Sequence, residues 1–230
     1  MIYLVGIGPG SPELLTLKAA DLLQRADTVY VPQSRDAGSS VAELIIAPHT
    51  NQEKLRFVHT PMKRDRTEVL ESYRELAADL AQAPKDSIHV FVTLGDVTCY
   101  STAQHLAEEL DALGVAYTYV PGISAFSATA SHIRIPLAVG KSSFAVHVMP
   151  DSLEKLEELT AHTTTLVLMK VDKKVPLLLE LVAKQSFEQA VMVYRLGLPG
   201  EKIFNLLDKT ELPKNVGYLS TAILKRADNV

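Results

Sequence analysis

Residues 1–17 join an apolar run to a helical pattern through glycines at alternate positions, Gly6, Gly8 and Gly10, with Pro9 among them. Residues 2–5, Ile-Tyr-Leu-Val, read as a strand. Residues 13–25 read as an amphipathic helix, with Leu14, Leu17, Leu22 and the alanines on one face and Ser11 as the cap before Pro12. A strand that passes into a helix through glycines belongs at the carboxyl edge of a parallel sheet. Lacking Cβ atoms, such glycines let backbone N–H groups and a ligand approach closely. On its own, this segment reads either as a ligand loop or as a tight strand–helix turn that binds nothing.

A dinucleotide site does not fit it. That fingerprint is G-x-G-x-x-G, with an acidic residue at the end of the next strand to hold a ribose. Here the spacing is G-x-G-x-G, and Pro9 removes one N–H donor. The second strand, Asp27-Thr-Val-Tyr-Val-Pro32, runs into Gln33 and Ser34 with no carboxylate. The same absence argues against the commonest Rossmann-type methyltransferase arrangement.

Strand and helix patterns alternate onward. Strands are expected at 28–31, 56–59, 87–93 and 116–120, and helices at 41–46, 67–82 and 101–113, the last stopped by Gly114. Alternation of this kind implies a parallel sheet with right-handed crossovers. The second half of the chain reads differently. After a small-residue helix at 124–132, strands at 144–148, 165–168, 190–194, 203–206 and 218–223 outnumber the helices at 153–160 and 175–184. We therefore expect two α/β domains, 1–115 with a parallel sheet and 116–230 with a mixed one, joined by a short linker.

Composition narrows the function classes. A net charge of −4 with no long basic run argues against nucleic-acid binding as a main activity. No apolar stretch reaches membrane-spanning length, and the N-terminus lacks the features of a signal peptide. The single cysteine, Cys99, excludes an internal disulfide and a cysteine-rich metal site. These features point to a cytoplasmic protein. His132 and His147 lack metal-ligand spacing and read as packing residues, so no metal is expected.

Four loops fall at strand ends: 6–12, 94–102, 121–126 and 194–200. In the second, Asp96 either accepts hydrogen bonds from ribose hydroxyls or an ammonium, or caps the next helix. In the third, Ser124 offers a hydroxyl at a helix start, or is a plain cap. Cys99 has no visible base partner for nucleophilic work.

Taken together, Val5-Gly-Ile-Gly-Pro-Gly-Ser-Pro-Glu-Leu-Leu-Thr-Leu-Lys-Ala, Gly95-Asp-Val-Thr-Cys-Tyr-Ser-Thr, Val120-Pro-Gly-Ile-Ser-Ala and Ile135-Pro-Leu resemble the tetrapyrrole (corrin/porphyrin) methyltransferase family, in order and spacing over almost the whole chain. Val31-Pro32, Ser39-Ser-Val-Ala42 and Pro61-Met62 with the charged run through Arg66 resemble its C-20-methylating branch. One departure is Val97, where the family usually has proline, which implies a less rigid loop.

The resemblance implies two α/β domains with S-adenosylmethionine in the cleft between them, a small tetrapyrrole as substrate, and a homodimer. Carried over by position, Pro9, Leu94, Gly95, Asp96, Cys99 (through its backbone), Ser124, Ala125, Met169, Leu196 and Gly197 would contact the cofactor. The substrate carries many carboxylates, for which Ser34, Arg35, Met62, Lys63, Arg64 and Arg66 are the candidate partners. Tyr100 and Asp65 are the candidate proton acceptors. The family also has protein- and RNA-directed branches, so fold alone leaves the substrate open.

Overall fold

Ten strands among the described residues form two five-stranded sheets, one in each of two units, Met1–Ser124 and Ala125–Val230. The computed structural model describes residues 1–33, 40–60, 67–208 and 215–227.

In the first unit, β1 (Ile2–Gly6), β2 (Thr28–Gln33), β3 (Leu55–His59), β4 (His89–Thr93) and β5 (Tyr117–Val120) are all parallel, in the order β3-β2-β4-β1-β5. Alternate residues feed two cores. Val5, Val29, Val31, Val90 and Val92 pack with Leu22, Leu23, Ile45 and Ile46 of α1 (Leu17–Arg25) and α2 (Val41–Ile46). Leu4 and Phe91 pack with Tyr73, Leu76, Leu106 and Leu110 of α3 (Thr67–Ala81) and α4 (Ala103–Ala112). Cover on both faces explains why all five residues of β4 are buried. The chain leaves β1 toward β2 and leaves β4 toward β5, in opposite directions across the sheet. The adjacent carboxyl ends of β1 and β4 are therefore the topological switch point, where open α/β sheets bind ligands.

Two expectations change here. First, the division falls at 124/125 instead of 115/116, because β5 pairs with β1. Gly114, at φ 65°, ends α4 in a Schellman motif: Val115 N donates to Leu110 O at 2.9 Å and Gly114 N to Asp111 O at 3.0 Å. That turn returns the chain to the same sheet. Second, the helix expected at 13–25 is split. Ser11 caps only a 3-10 turn, Pro12–Leu14, after which Leu15 is extended. Thr16 caps α1, its hydroxyl accepting from Ala19 N at 3.2 Å. The break shifts the helical phase, so Leu17 lies 92% exposed and Leu14 is only half-buried, while Ala19, Leu22 and Leu23 fill the core. Thr16→Ala should therefore cost about 1 kcal/mol in a urea melt, and Leu17→Ser almost nothing.

In the second unit, β6 (Phe144–Val148), β7 (Thr165–Met169), β8 (Gln189–Tyr194), β9 (Lys202–Asn205) and β10 (Ser220–Lys225) form the expected mixed sheet, in the order β6-β7-β10-β8-β9. β6 and β7 are parallel and the other pairs antiparallel. Leu156, Leu178 and Leu181 of α6 (Leu153–Ala161) and α7 (Val175–Lys184) cover one face, over Leu166, Leu168, Met192 and Leu224. On the other, α5 (Ala125–His132) and the turn after it set Ala130 and Ile135 on Val167 and Ile223. That turn is also a Schellman motif, Ile135 N to Ala130 O at 3.0 Å, with Arg134 in the left-handed position at φ 58°.

Candidate functional site

Three turns of the first unit meet backbone to backbone at the switch point. Gly8 N donates to Gly95 O at 3.2 Å and Gly95 N donates to Gly8 O at 2.8 Å. Both glycines are left-handed, at φ 75° and 72°. A Cβ on Gly6 would lie 2.7 Å from Gly122 N and from Gly95 O. One on Gly122 would lie 2.6 Å from Gly6 C and would strike Gly95 O. Gly6 and Gly122 thus let three chain segments touch, a use of glycine different from the ligand approach expected of Gly6.

Asp96 fastens the same junction. Its Oδ2 accepts from Gly122 N at 2.9 Å, and its Oδ1 accepts from Thr98 N at 2.9 Å and from the Thr98 hydroxyl at 2.5 Å. Burial pushes its carboxyl up, but the hydrogen bonds from Thr98, Gly122 and Val97 outweigh that and hold it below the ordinary carboxylate range. Of the two readings of Asp96, the helix cap does not hold: Ser101 accepts from Ala103 N at 3.1 Å at the start of α4.

The Val97 side chain is 1% exposed, in the core under α3 and α4. Its carbonyl accepts from Gln104 Nε2 at 3.3 Å, and Gln104 Oε1 accepts from the Tyr119 hydroxyl at 3.1 Å. The backbone N–H of Cys99 lies 3.5 Å from Asp96 O. Tyr100 is 44% exposed, with its backbone left-handed at φ 51°. For a non-glycine residue that conformation is strained, and such residues gather at functional sites.

Pro9, Leu94, Asp96, Cys99 and Ser124 are half-buried around this junction, and Gly95 is buried. In the second unit, Met169 ends β7 and the turn 195–200 follows β8; both strands run antiparallel to β10, which puts these two segments at one edge of the sheet. Lys170, Asp172, Arg195 and Gly197 are left-handed there, at φ 58°, 46°, 55° and 70°. Ala125 opens α5, half-buried. Ser34, Arg35, Met62, Lys63, Arg64, Asp65 and Arg66 lie outside the described residues.

The donor set suits one ligand chemistry better than another. The turns 6–12, 94–102 and 121–126 hold no Lys or Arg, so no side-chain cation in them pairs with a phosphate. Small and apolar side chains, open backbone and one ionised carboxylate suit a nucleoside that carries a cationic sulfonium.

Sequence reasoning missed the Gly8–Gly95 pairing, the support from Gln104, and Glu201. Glu201 accepts from Gly197 N at 2.6 Å and pairs with His132 at 2.8 Å. The G-x-G-x-G and G-D spacings could have signalled the first; no local pattern marks the others.

A doubly wound parallel unit with glycine turns at its switch point, followed by a mixed-sheet unit, defines a two-part α/β protein of the nucleoside-binding kind. The family described as Tetrapyrrole (Corrin/Porphyrin) Methylases matches residues 1–210, and the chain belongs to it. It is 30% identical to a cobalt-precorrin-2 C(20)-methyltransferase from Salmonella typhimurium, over 98% of this chain and 96% of that protein. It is 31% identical, with the same coverage, to a probable cobalt-precorrin-2 C(20)-methyltransferase from Methanocaldococcus jannaschii. Among solved structures it is similar to a uroporphyrin-III C-methyltransferase from Thermus thermophilus complexed with S-adenyl homocysteine. That match has a TM-score of 0.69 and 25% identity, over 97% of this chain and 96% of that one.

Proposed function

We propose that this chain transfers a methyl group from S-adenosylmethionine to the C-20 meso carbon of precorrin-2 or cobalt-precorrin-2, in cobalamin biosynthesis. The observation that carries this is the full-length likeness to two C(20)-methyltransferases at 30% and 31% identity. The glycine junction and its cation-free turns support the donor. Pro9, Leu94, Gly95, Asp96, Cys99, Ser124, Ala125, Met169, Leu196 and Gly197 are the proposed cofactor contacts. Ser34, Arg35, Met62, Lys63, Arg64 and Arg66 are the proposed carboxylate partners of the tetrapyrrole. The homodimer and the cytoplasmic setting belong to the same proposal; among the described residues no helix is long and apolar enough to cross a membrane.

The chain's task in such a reaction is placement. Bound S-adenosylmethionine supplies an electrophilic methyl on a good leaving group, and a reduced tetrapyrrole supplies an electron-rich meso carbon. The turns must hold sulfur, methyl and carbon in line, an arrangement worth about 7–11 kcal/mol. Clasped turns suit that, because they need not reorganise when ligands arrive. The attacking carbon then sheds a proton, for which Tyr100 and Asp65 are the proposed acceptors.

Two measurements test the reading. Calorimetry with S-adenosylhomocysteine should give one site per chain, and no binding would refute the cofactor. Metal-free and cobalt-loaded substrate, turned over side by side, should each be scored by mass spectrometry and NMR of the product. A new methyl at C-20 supports the assignment, whereas a methyl at another ring position makes the chain a sister enzyme.

A further inference from the structure

We propose that Glu201 is a positioning residue, clasping the 195–200 turn to the end of α5. The inference rests on the proposed cofactor contacts, since Leu196 and Gly197 lie on that turn and Ala125 begins α5.

The turn is held in an uncommon shape. Arg195, Gly197 and Gly200 are all left-handed, at φ 55°, 70° and 83°. Its internal bonds run from Leu198 N to Arg195 O at 2.9 Å, from Arg195 Nε to Pro199 O at 2.8 Å and from Glu201 N to Leu198 O at 3.0 Å. These fix the shape of the turn without fixing its place. At its start, Arg195 N donates to Leu219 O at 2.8 Å, which ties it to the sheet. At its far end Lys202 pairs with Tyr194 in the sheet, and Glu201 ties the turn across to α5. One carboxylate oxygen accepts from Gly197 N at 2.6 Å, and the other meets His132 Nε2 at 2.8 Å. His132 is the last residue of α5, where a donor or a positive charge suits the helix end. The carboxylate therefore spans a turn and a helix that both carry proposed cofactor contacts. It also engages the Gly197 N–H, so that N–H is not offered to a ligand.

An exposed His–Glu pair alone contributes little to stability, and the side chains here are 42% and 27% exposed. The effect of the clasp should therefore appear in the donor's affinity and leave the melting temperature nearly unchanged.

The test uses the full chain. Calorimetry with S-adenosylhomocysteine and steady-state kinetics are run on the wild type, Glu201→Ala, Glu201→Gln, His132→Ala and the double variant Glu201→Ala/His132→Ala, with melting temperatures alongside. Glu201→Ala should weaken S-adenosylhomocysteine and raise KM for S-adenosylmethionine about tenfold, while KM for the tetrapyrrole stays put. Glu201→Gln retains an acceptor for Gly197 N and should recover most of that loss. His132→Ala should show a smaller loss, and the double variant should be no worse than Glu201→Ala. Should Glu201→Ala not fold, His132→Ala and Glu201→Gln carry the comparison. Wild-type affinity in Glu201→Ala overturns the clasp, as do equal losses for donor and tetrapyrrole. A wild-type chain that binds no S-adenosylhomocysteine instead overturns the cofactor reading and takes the clasp with it.

Discussion

Gly122→Ala should destabilise the first unit by about 3 kcal/mol and abolish binding of S-adenosylhomocysteine. A Cβ at this position would lie 2.6 Å from Gly6 C and 2.7 Å from Gly6 O, and would strike Gly95 O. All three are backbone atoms, so no side chain can swing aside to make room. Relief requires the three turns to separate, which breaks the Gly8–Gly95 pairing and draws Gly122 N away from Asp96. The control is Gly114→Ala. Gly114 is left-handed at φ 65°, but its Cβ would meet nothing within 4 Å. It should cost about 1 kcal/mol and leave binding intact. Thermal melts and calorimetry on both variants separate a packing defect from a purely conformational one. A Gly122→Ala chain that melts with the wild type would contradict the backbone contact.

Asp96→Ala should cost about 2 kcal/mol and weaken S-adenosylhomocysteine by at least about tenfold. The carboxylate accepts from Gly122 N, Thr98 N and the Thr98 hydroxyl, and alanine leaves all three donors to find water. Its proton affinity adds a pH signature. The folded carboxyl sits below the ordinary carboxylate range, so its stabilisation is complete above about pH 4. It is lost as the pH falls through the depressed folded value. Asp96→Asn keeps the shape but not the charge, and its amide nitrogen cannot accept from Gly122 N. Urea midpoints of wild type and Asp96→Asn should differ at pH 7 and converge in acid. A gap that stays constant with pH would show that the charge contributes nothing.

Much of the architecture was legible in local patterns. The apolar runs of β1 and β4, with glycine at the end of the first and two residues beyond the second, and the helical spacing of 67–82 signal a parallel sheet with crossovers. Gly114 signals where α4 stops, though not that β5 then rejoins β1. The misplaced division follows from that: a stop is a local event, while pairing depends on a partner over a hundred residues away. Leu17 shows the same limit on a smaller scale. Its spacing fits a buried stripe, but the cap at Thr16 sets the helix phase and turns it to solvent.

By itself, the sequence determined the strand–helix alternation, the two sheet types, the positions of the four turns and the likeness to a methyltransferase family. Each depends on residues close together in the chain or on short motifs in fixed order. Only the tertiary structure decided what those residues do to one another. Gly6 and Gly122 serve mutual backbone contact, Asp96 grips Gly122 from 26 residues away, and Glu201 meets His132 across 69. Hydrogen-bond partners and close approaches at such separations are chosen by the packed fold as a whole, so no periodicity or spacing along the chain announces them.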